Sequence, residues 1–211
     1  MSFDLIVIDL DNTLYAADSG VFTRMDARMT AFVARELHIS HEEANAMRMR
    51  YWKQYGTTLR GLILHHSVDP EPFLFEVHDI GIEEFLKTDA ELDAALAGMP
   101  GRKIIHTNGT GEHAGRVMQA LGVGHHFHAV YDIRFNDYIP KPCGKTLAML
   151  LEKECVPAHR ALIVDDMPDN LAVARKLGAK TAWVSKSKEQ NGWDYHTMTL
   201  HHLPDEITAN C

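Results

Sequence analysis

FDLIVIDLDNTLY, residues Phe3 to Tyr15, is an apolar run that finishes in two acids one residue apart. Leu5, Ile6, Val7 and Ile8 show no alternation with polar residues. That pattern suits a strand covered on both faces, as in a parallel sheet flanked by helices. Asp9 stands where such a strand ends. Leu10 faces away, and Asp11 returns to the side of Asp9 by the period of two. Asn12 and Thr13 then turn the chain.

Working outward, the second half of the chain repeats strand and helix. KIIHT (103–107), AVYDI (129–133), ALIVDD (161–166) and KTAWVS (180–185) read as strands. GEHAGRVMQALG, GKTLAMLLEKEC and PDNLAVARKLGA read as the helices between them, the last opened by Pro168. Alternation of this kind implies right-handed crossovers and an α/β fold, a doubly wound parallel sheet of Rossmann-like form. Between the first strand and this region, Val21 to Gly81 carries helical spacing alone. Met25, Met29, Phe32, Val33 and Leu37 share one face, Ser40 is a candidate N-cap and Gly56 a candidate stop. The expected organisation is a core of residues 1–15 and 85–211, with a helical cap of residues 16–84 inserted after strand one. Open α/β sheets bind ligands at that edge. The tail WDYHTMTLHHLPDEI is expected to add a last strand and a turn.

At 211 residues, with 45% apolar residues, the chain can bury one ordinary core. A formal charge of −8 argues against binding nucleic-acid polymers. Small anions remain open, because a metal ion can reverse the sign of a local site. No apolar run is long enough for a membrane span, and no signal peptide is evident. Cys143, Cys155 and Cys211 are too few and scattered for a disulfide framework, so a reduced, cytoplasmic protein is expected. The 14 His residues, several in pairs, have no zinc spacing.

Polar residues gather at the strand ends: Asp9 and Asp11, Thr107 and Asn108, Asp165 and Asp166. Lys141 follows AVYDI, held between Pro140 and Pro142. In a parallel sheet these positions share one edge. Four carboxylates would repel one another unless a cation joined them, and oxygen donors of this kind suit Mg²⁺. Lys141, the Thr107 hydroxyl and backbone N–H groups could then meet a phosphate. A carboxylate can attack phosphorus, and a second carboxyl beside it can act as general acid and then base.

DLDNT, HTNG, KP and VDDMPDN resemble, in order and spacing, the four motifs of the haloacid dehalogenase-like hydrolase superfamily. The resemblance covers strand one and nearly all of Leu92 to Ser185. It implies that Asp9 is the nucleophile and Asp11 the general acid/base. It makes Thr107 and Lys141 the phosphate-binding pair and Asp165 and Asp166 the Mg²⁺ carboxylates, with Asp9 and the Asp11 backbone carbonyl completing the metal site. Within the cap, YWKQYGTTLRGL and VDPEPF, with LDNTLY before them, are similar to the pyrimidine 5′-nucleotidase branch. That similarity implies nucleoside monophosphate substrates. Tyr51, Trp52 and Tyr55 could stack on a base and Arg60 could pair with a polar edge or with phosphate, or all four could serve the cap's own packing. Other capped phosphatases for sugar or glycolate phosphates, and phosphomutases, share every core residue. A binding protein that keeps the site without turnover is a more distant reading.

Two further patterns bear on this. Gly109, Gly111 and Gly115 follow a strand, open a helix, and precede Asp132 on the next strand, as in dinucleotide folds. Their spacing is GxGxxxG rather than GxGxxG, and a nicotinamide enzyme would leave the four acids without a role. Lys145 rivals Lys141 but falls on the following helix.

Overall fold

The computed structural model describes residues 3–187 and 192–209; Cys211 lies outside them. Strands β1 (Leu5–Ile8), β2 (Arg102–His106), β3 (Phe127–Tyr131), β4 (Ala161–Asp165), β5 (Lys180–Val184) and β6 (Tyr195–Thr197) form one sheet. Its order is β3-β2-β1-β4-β5-β6, and every pair is parallel. The chain winds one way from β1 to β3, then restarts on the other side of β1 with β4. The crevice at this reversal lies outside the carboxyl ends of β1 and β4, where open α/β sheets take ligands. Asp9 follows one strand, and Asp165 ends the other.

Side chains of the central strands alternate between two apolar layers. Leu5, Val7 and Ile163 pack with Leu147, Leu150 and Leu171. These come from α7 (Gly144–Lys153) and α8 (Pro168–Lys176). Ile6, Ile8 and Val164 pack on the other face with Leu96, Val117 and Leu203. Those come from α5 (Ala90–Gly98), α6 (Gly111–Leu121) and α9 (Leu203–Ala209).

Between β1 and α5 run four helices: α1 (Val21–Leu37), α2 (His41–Tyr55), α3 (Thr58–His66) and α4 (Pro70–His78). Ser40 and Glu43 form a reciprocal capping box at the start of α2, and Gly56 ends it at φ +86°. The α2–α3 contact needs a glycine, since a Cβ at Gly61 would lie 2.2 Å from Cγ of Tyr51. Val21, Phe32, Leu62 and Phe73 of these helices belong to the same apolar cluster as Ile6 and Ile8.

Polar ties join α4 to the sheet side. Arg134 donates to both carboxylate oxygens of Glu71 at 2.8 Å, and the Tyr138 hydroxyl donates to Oε1 at 2.6 Å. Arg116 donates to the His78 carbonyl at 2.7 Å.

Some local expectations shift. The third strand starts at Phe127 and stops at Tyr131, two residues early, and Ile133 belongs to a 3-10 turn. Asp132 ends the strand by accepting from the Arg134 backbone N–H at 3.1 Å. Helix α5, opened by Asp89 accepting from the Leu92 N–H, was not singled out. The tail adds β6 as expected, but closes in helix α9 rather than a turn. Among the described residues, no helix is long and apolar enough to cross a membrane.

Candidate active site

The Asp9 N–H bonds the Val164 carbonyl at 2.9 Å, continuing the β1–β4 ladder and holding the residue rigidly at the sheet edge. Its carboxylate is buried and faces Lys141. The Lys141 ammonium has three hydrogens and three protein acceptors: Asp9 Oδ1 at 2.6 Å, the His106 carbonyl at 2.8 Å and Asp165 Oδ2 at 3.0 Å. In this arrangement Lys141 bridges carboxylates, and contact with a phosphate would require sharing one of those bonds. Its backbone is fixed by Asn108, which accepts from the Lys141 N–H at 2.7 Å and donates to its carbonyl at 3.4 Å. Lys145 stands apart on α7.

Asp165 is buried and held on both oxygens. Oδ1 accepts from the Met167 N–H and Asn170, and Oδ2 accepts from Asn170 and Lys141. Asp166 is fixed through its backbone instead: its N–H donates to the Thr13 hydroxyl at 3.1 Å, and its carbonyl accepts from Trp183 at 2.9 Å. Thr13 thus ties the turn after β1 to the turn after β4. Carboxylate oxygens of Asp9, Asp165 and Asp166 lie within 4.8 Å of one another. Burial, with Asp165 and Asp166 nearby, pushes the Asp9 carboxyl up despite Lys141. Burial, then Asp165, pushes Asp166 up to about 7. Burial would lower the Lys141 ammonium, but Asp165 and Asp9 outweigh it and hold the charge in place. One cation among three crowded carboxylates leaves an excess of negative charge. All-oxygen donors with that excess fit a hard divalent cation.

Asp11 does not join the carboxylate trio. Its Oδ1 accepts from the Tyr15 hydroxyl at 2.5 Å and from His113 Nε2 at 2.8 Å. Burial acts to raise the Asp11 carboxyl, but His113 and Tyr15 outweigh it, and the net position is below the usual carboxylate value. Thr107 is buried, and its hydroxyl accepts from the Gly109 N–H at 2.9 Å. Thr110 caps α6, and Asp132 Oδ2 accepts from the Gly111 N–H at 3.0 Å. A carboxylate therefore already sits at the helix start that a dinucleotide phosphate would need.

Above this edge opens a cleft of about 990 Å³ between the sheet edge and the helices inserted after β1. Asp9, Asp11, Thr107, Asn108, Lys141, Asp165 and Asp166 line its floor, and Trp52, Tyr55 and Arg60 line its upper wall. Tyr55 is braced by His65 at 2.6 Å, while Trp52 is 42% exposed. The Arg60 guanidinium has no carboxylate partner among the described residues. Tyr51 belongs with packing: it is buried, meets His66 at 2.8 Å and covers Gly61. Met25 is buried in the apolar cluster and Met29 packs against it.

Sequence reasoning passed over His113, His78 and Tyr15. One signal for His113 was available. It falls in the apolar stripe of α6 with Ala114, Val117, Met118 and Leu121, where a polar residue needs a reason.

A family model described as haloacid dehalogenase-like hydrolase matches residues 3–178. The chain belongs to this family. Over 185 residues it is 25% identical to "Phosphate metabolism protein 8" of Saccharomyces cerevisiae, a match covering 81% of this chain and 58% of that protein. The chain therefore spans little more than half the length of that relative. Among solved structures, a HAD phosphatase from Thermococcus onnurineus aligns at TM-score 0.66 and 17% identity, over 98% of both chains. The HAD-hydrolase YfnB from Bacillus subtilis, solved bound to magnesium, aligns at TM-score 0.63 and 14% identity, over 96% of this chain and 97% of that one. At those identities the structures speak for the fold: a six-stranded parallel sheet with the haloacid dehalogenase-like architecture.

Proposed function

We propose that the protein is a Mg²⁺-dependent phosphomonoester hydrolase working through an aspartyl-phosphate on Asp9, with pyrimidine nucleoside 5′-monophosphates as its preferred substrates. One observation carries the hydrolase reading. Two acids leave the same strand end with different partners, Asp9 against Lys141 and the carboxylate trio, and Asp11 against His113 and Tyr15. Different surroundings assign different work to like groups.

An oxygen of Asp9 attacks phosphorus, the bond to the leaving oxygen breaks, and the Asp11 carboxyl delivers its proton to that oxygen. Water then attacks the aspartyl-phosphate, Asp11 takes its proton, and the Asp9 carboxylate is released with inorganic phosphate. A phosphate dianion arriving beside Asp11 raises its proton affinity, opposing the pull of His113. Thr107, Asn108 and nearby N–H groups orient the phosphate, with Lys141 balancing charge beneath it. Asp9, Asp166 and the Asp11 carbonyl would hold the metal, with Asp165 bound or placed beside them. When bound, Mg²⁺ neutralises the phosphate oxygens and the carboxylate trio.

Residues 16–84 act as the cap that selects the leaving group and excludes water. The cleft volume suits a nucleotide, since ligand pockets run from about 300 to 1,000 Å³. A base between Trp52 and Tyr55, with Arg60 at its polar edge, accounts for the aromatic wall and the free guanidinium. The scattered cysteines suit a reducing, cytoplasmic setting.

The test is phosphate release with Mg²⁺ across nucleoside monophosphates, sugar phosphates and glycolate phosphate. UMP and CMP are expected to lead. A sugar-biased or flat profile would reject the nucleotidase reading and leave the phosphatase reading standing. No release from any ester would reject both.

A further inference from the structure

His113 is wholly buried, yet its imidazole makes one hydrogen bond, from Nε2 to Asp11. An ionised carboxylate only accepts, so Nε2 carries the hydrogen. The other ring nitrogen, Nδ1, is buried without any partner. Packing alone gives no reason for an imidazole here, since Ala114, Val117, Met118 and Leu121 of the same stripe are apolar. An apolar residue would fill the site without stranding a polar atom.

The second donor to Asp11 is Tyr15, and it reaches the same oxygen, Oδ1. Among the described residues no protein donor reaches Oδ2, and Asp11 lines the cleft. The His113 ring is fixed in turn. His78, at the end of α4, stacks on it with centroids 4.5 Å apart at 25°. The His78 ring is locked by Nδ1–H donating to the Leu74 carbonyl at 2.8 Å.

We propose that His113 and Tyr15 are positioning residues for the acid/base step. They hold Oδ1 of Asp11 so that Oδ2 alone faces the leaving oxygen, and His78 carries the placement of α4 into that geometry. This rests on the phosphatase reading above. Neither residue touches the reacting atoms; both act through Asp11.

The leaving group supplies the test. An alkyl ester needs a proton as its P–O bond breaks, whereas p-nitrophenolate leaves without one. With Mg²⁺ present, His113→Leu and Tyr15→Phe are compared with wild type on p-nitrophenyl phosphate and on the best alkyl phosphate of the panel. The expected result is a loss of kcat/KM, which covers only the steps through departure of the leaving group, of about 10- to 100-fold on the alkyl ester, because misplacing a catalytic group by about 1 Å costs about 100-fold. On the aryl ester the loss of kcat/KM should stay within about threefold, because protonation contributes little to that departure and the later attack of water, which also uses Asp11, does not enter kcat/KM. His113→Gln, whose amide can reach Asp11, should recover part of the alkyl activity. Circular dichroism and thermal unfolding check each fold. If His113→Leu does not fold, Tyr15→Phe and His113→Gln, compared on the two esters, decide the matter.

Equal losses of kcat/KM on both esters, or an unchanged kcat/KM on the alkyl ester, would overturn the proposal. In each of those cases an active wild type leaves the phosphatase reading intact. A wild type inactive on both esters overturns the two together.

Discussion

Asp166→Asn should stabilise the metal-free protein at about pH 8 and leave it nearly unchanged near pH 4. Asp166 is pushed up to about 7, against 3.8 for an ordinary aspartate, by burial and then by Asp165. A carboxyl with a raised folded-state value binds its proton more tightly in the native protein. The stability associated with that proton is complete below about pH 3.8 and is lost as pH rises through about 7. At 1.36 kcal/mol per pH unit, the shift of about three units amounts to about 4 kcal/mol by pH 8. Asparagine has the shape of the protonated acid, and the Asp166 backbone bonds to Thr13 and Trp183 do not depend on the side chain. Urea unfolding in EDTA across about pH 4 to 8 reads the difference, which should grow steadily with pH toward a few kcal/mol. Added Mg²⁺ should stabilise wild type and act much less on Asp166→Asn. A variant less stable than wild type at pH 8, or a difference independent of pH, would refute the reasoning.

His78 has the opposite sign. Burial first, then His113, lowers it to about 4 from 6.5, so its contribution is complete above about pH 6.5 and lost as pH falls to about 4. His78→Asn, which can keep the bond to Leu74, should remove about 3 kcal/mol of acid sensitivity from the difference in unfolding free energy; equal slopes below pH 6.5 would count against it. Gly61→Ala would drive a Cβ into the Tyr51 ring and should lower stability by about 1–3 kcal/mol, read as a lower urea midpoint; an unchanged midpoint would show that α2 and α3 can part without cost.

The strand ends were legible because an apolar run without alternation has few readings, and an acid at its end stands out. That placed Asp9, Asp11, Thr107, Asn108, Asp165 and Asp166 on one edge, where the structure brings them. Lys141 was placed at the same edge, but its engagement by three acceptors depends on distances between loops far apart in the chain. Tertiary partners were invisible for the same reason: Asp11 and His113 are 102 residues apart. Tyr51 and Tyr55 looked alike as aromatics on one helix. The missing side chain at Gly61 draws Tyr51 into packing, while Tyr55 stays on the cleft wall. The early end of β3 turned on one local bond, Asp132 to the Arg134 N–H, which outweighed the β propensity of Ile133.

The central claim is that Asp9 carries the phosphoryl group, and it can be read on the peptide itself. Acid quench of the Mg²⁺-loaded enzyme during turnover, then peptide mapping by mass spectrometry, should find one phosphoryl group on the Phe3–Tyr15 segment at Asp9. Hydroxylamine should release it, and Asp9→Asn should show neither the adduct nor turnover. Full turnover by Asp9→Asn, or a phosphoryl group on another residue, would contradict the account.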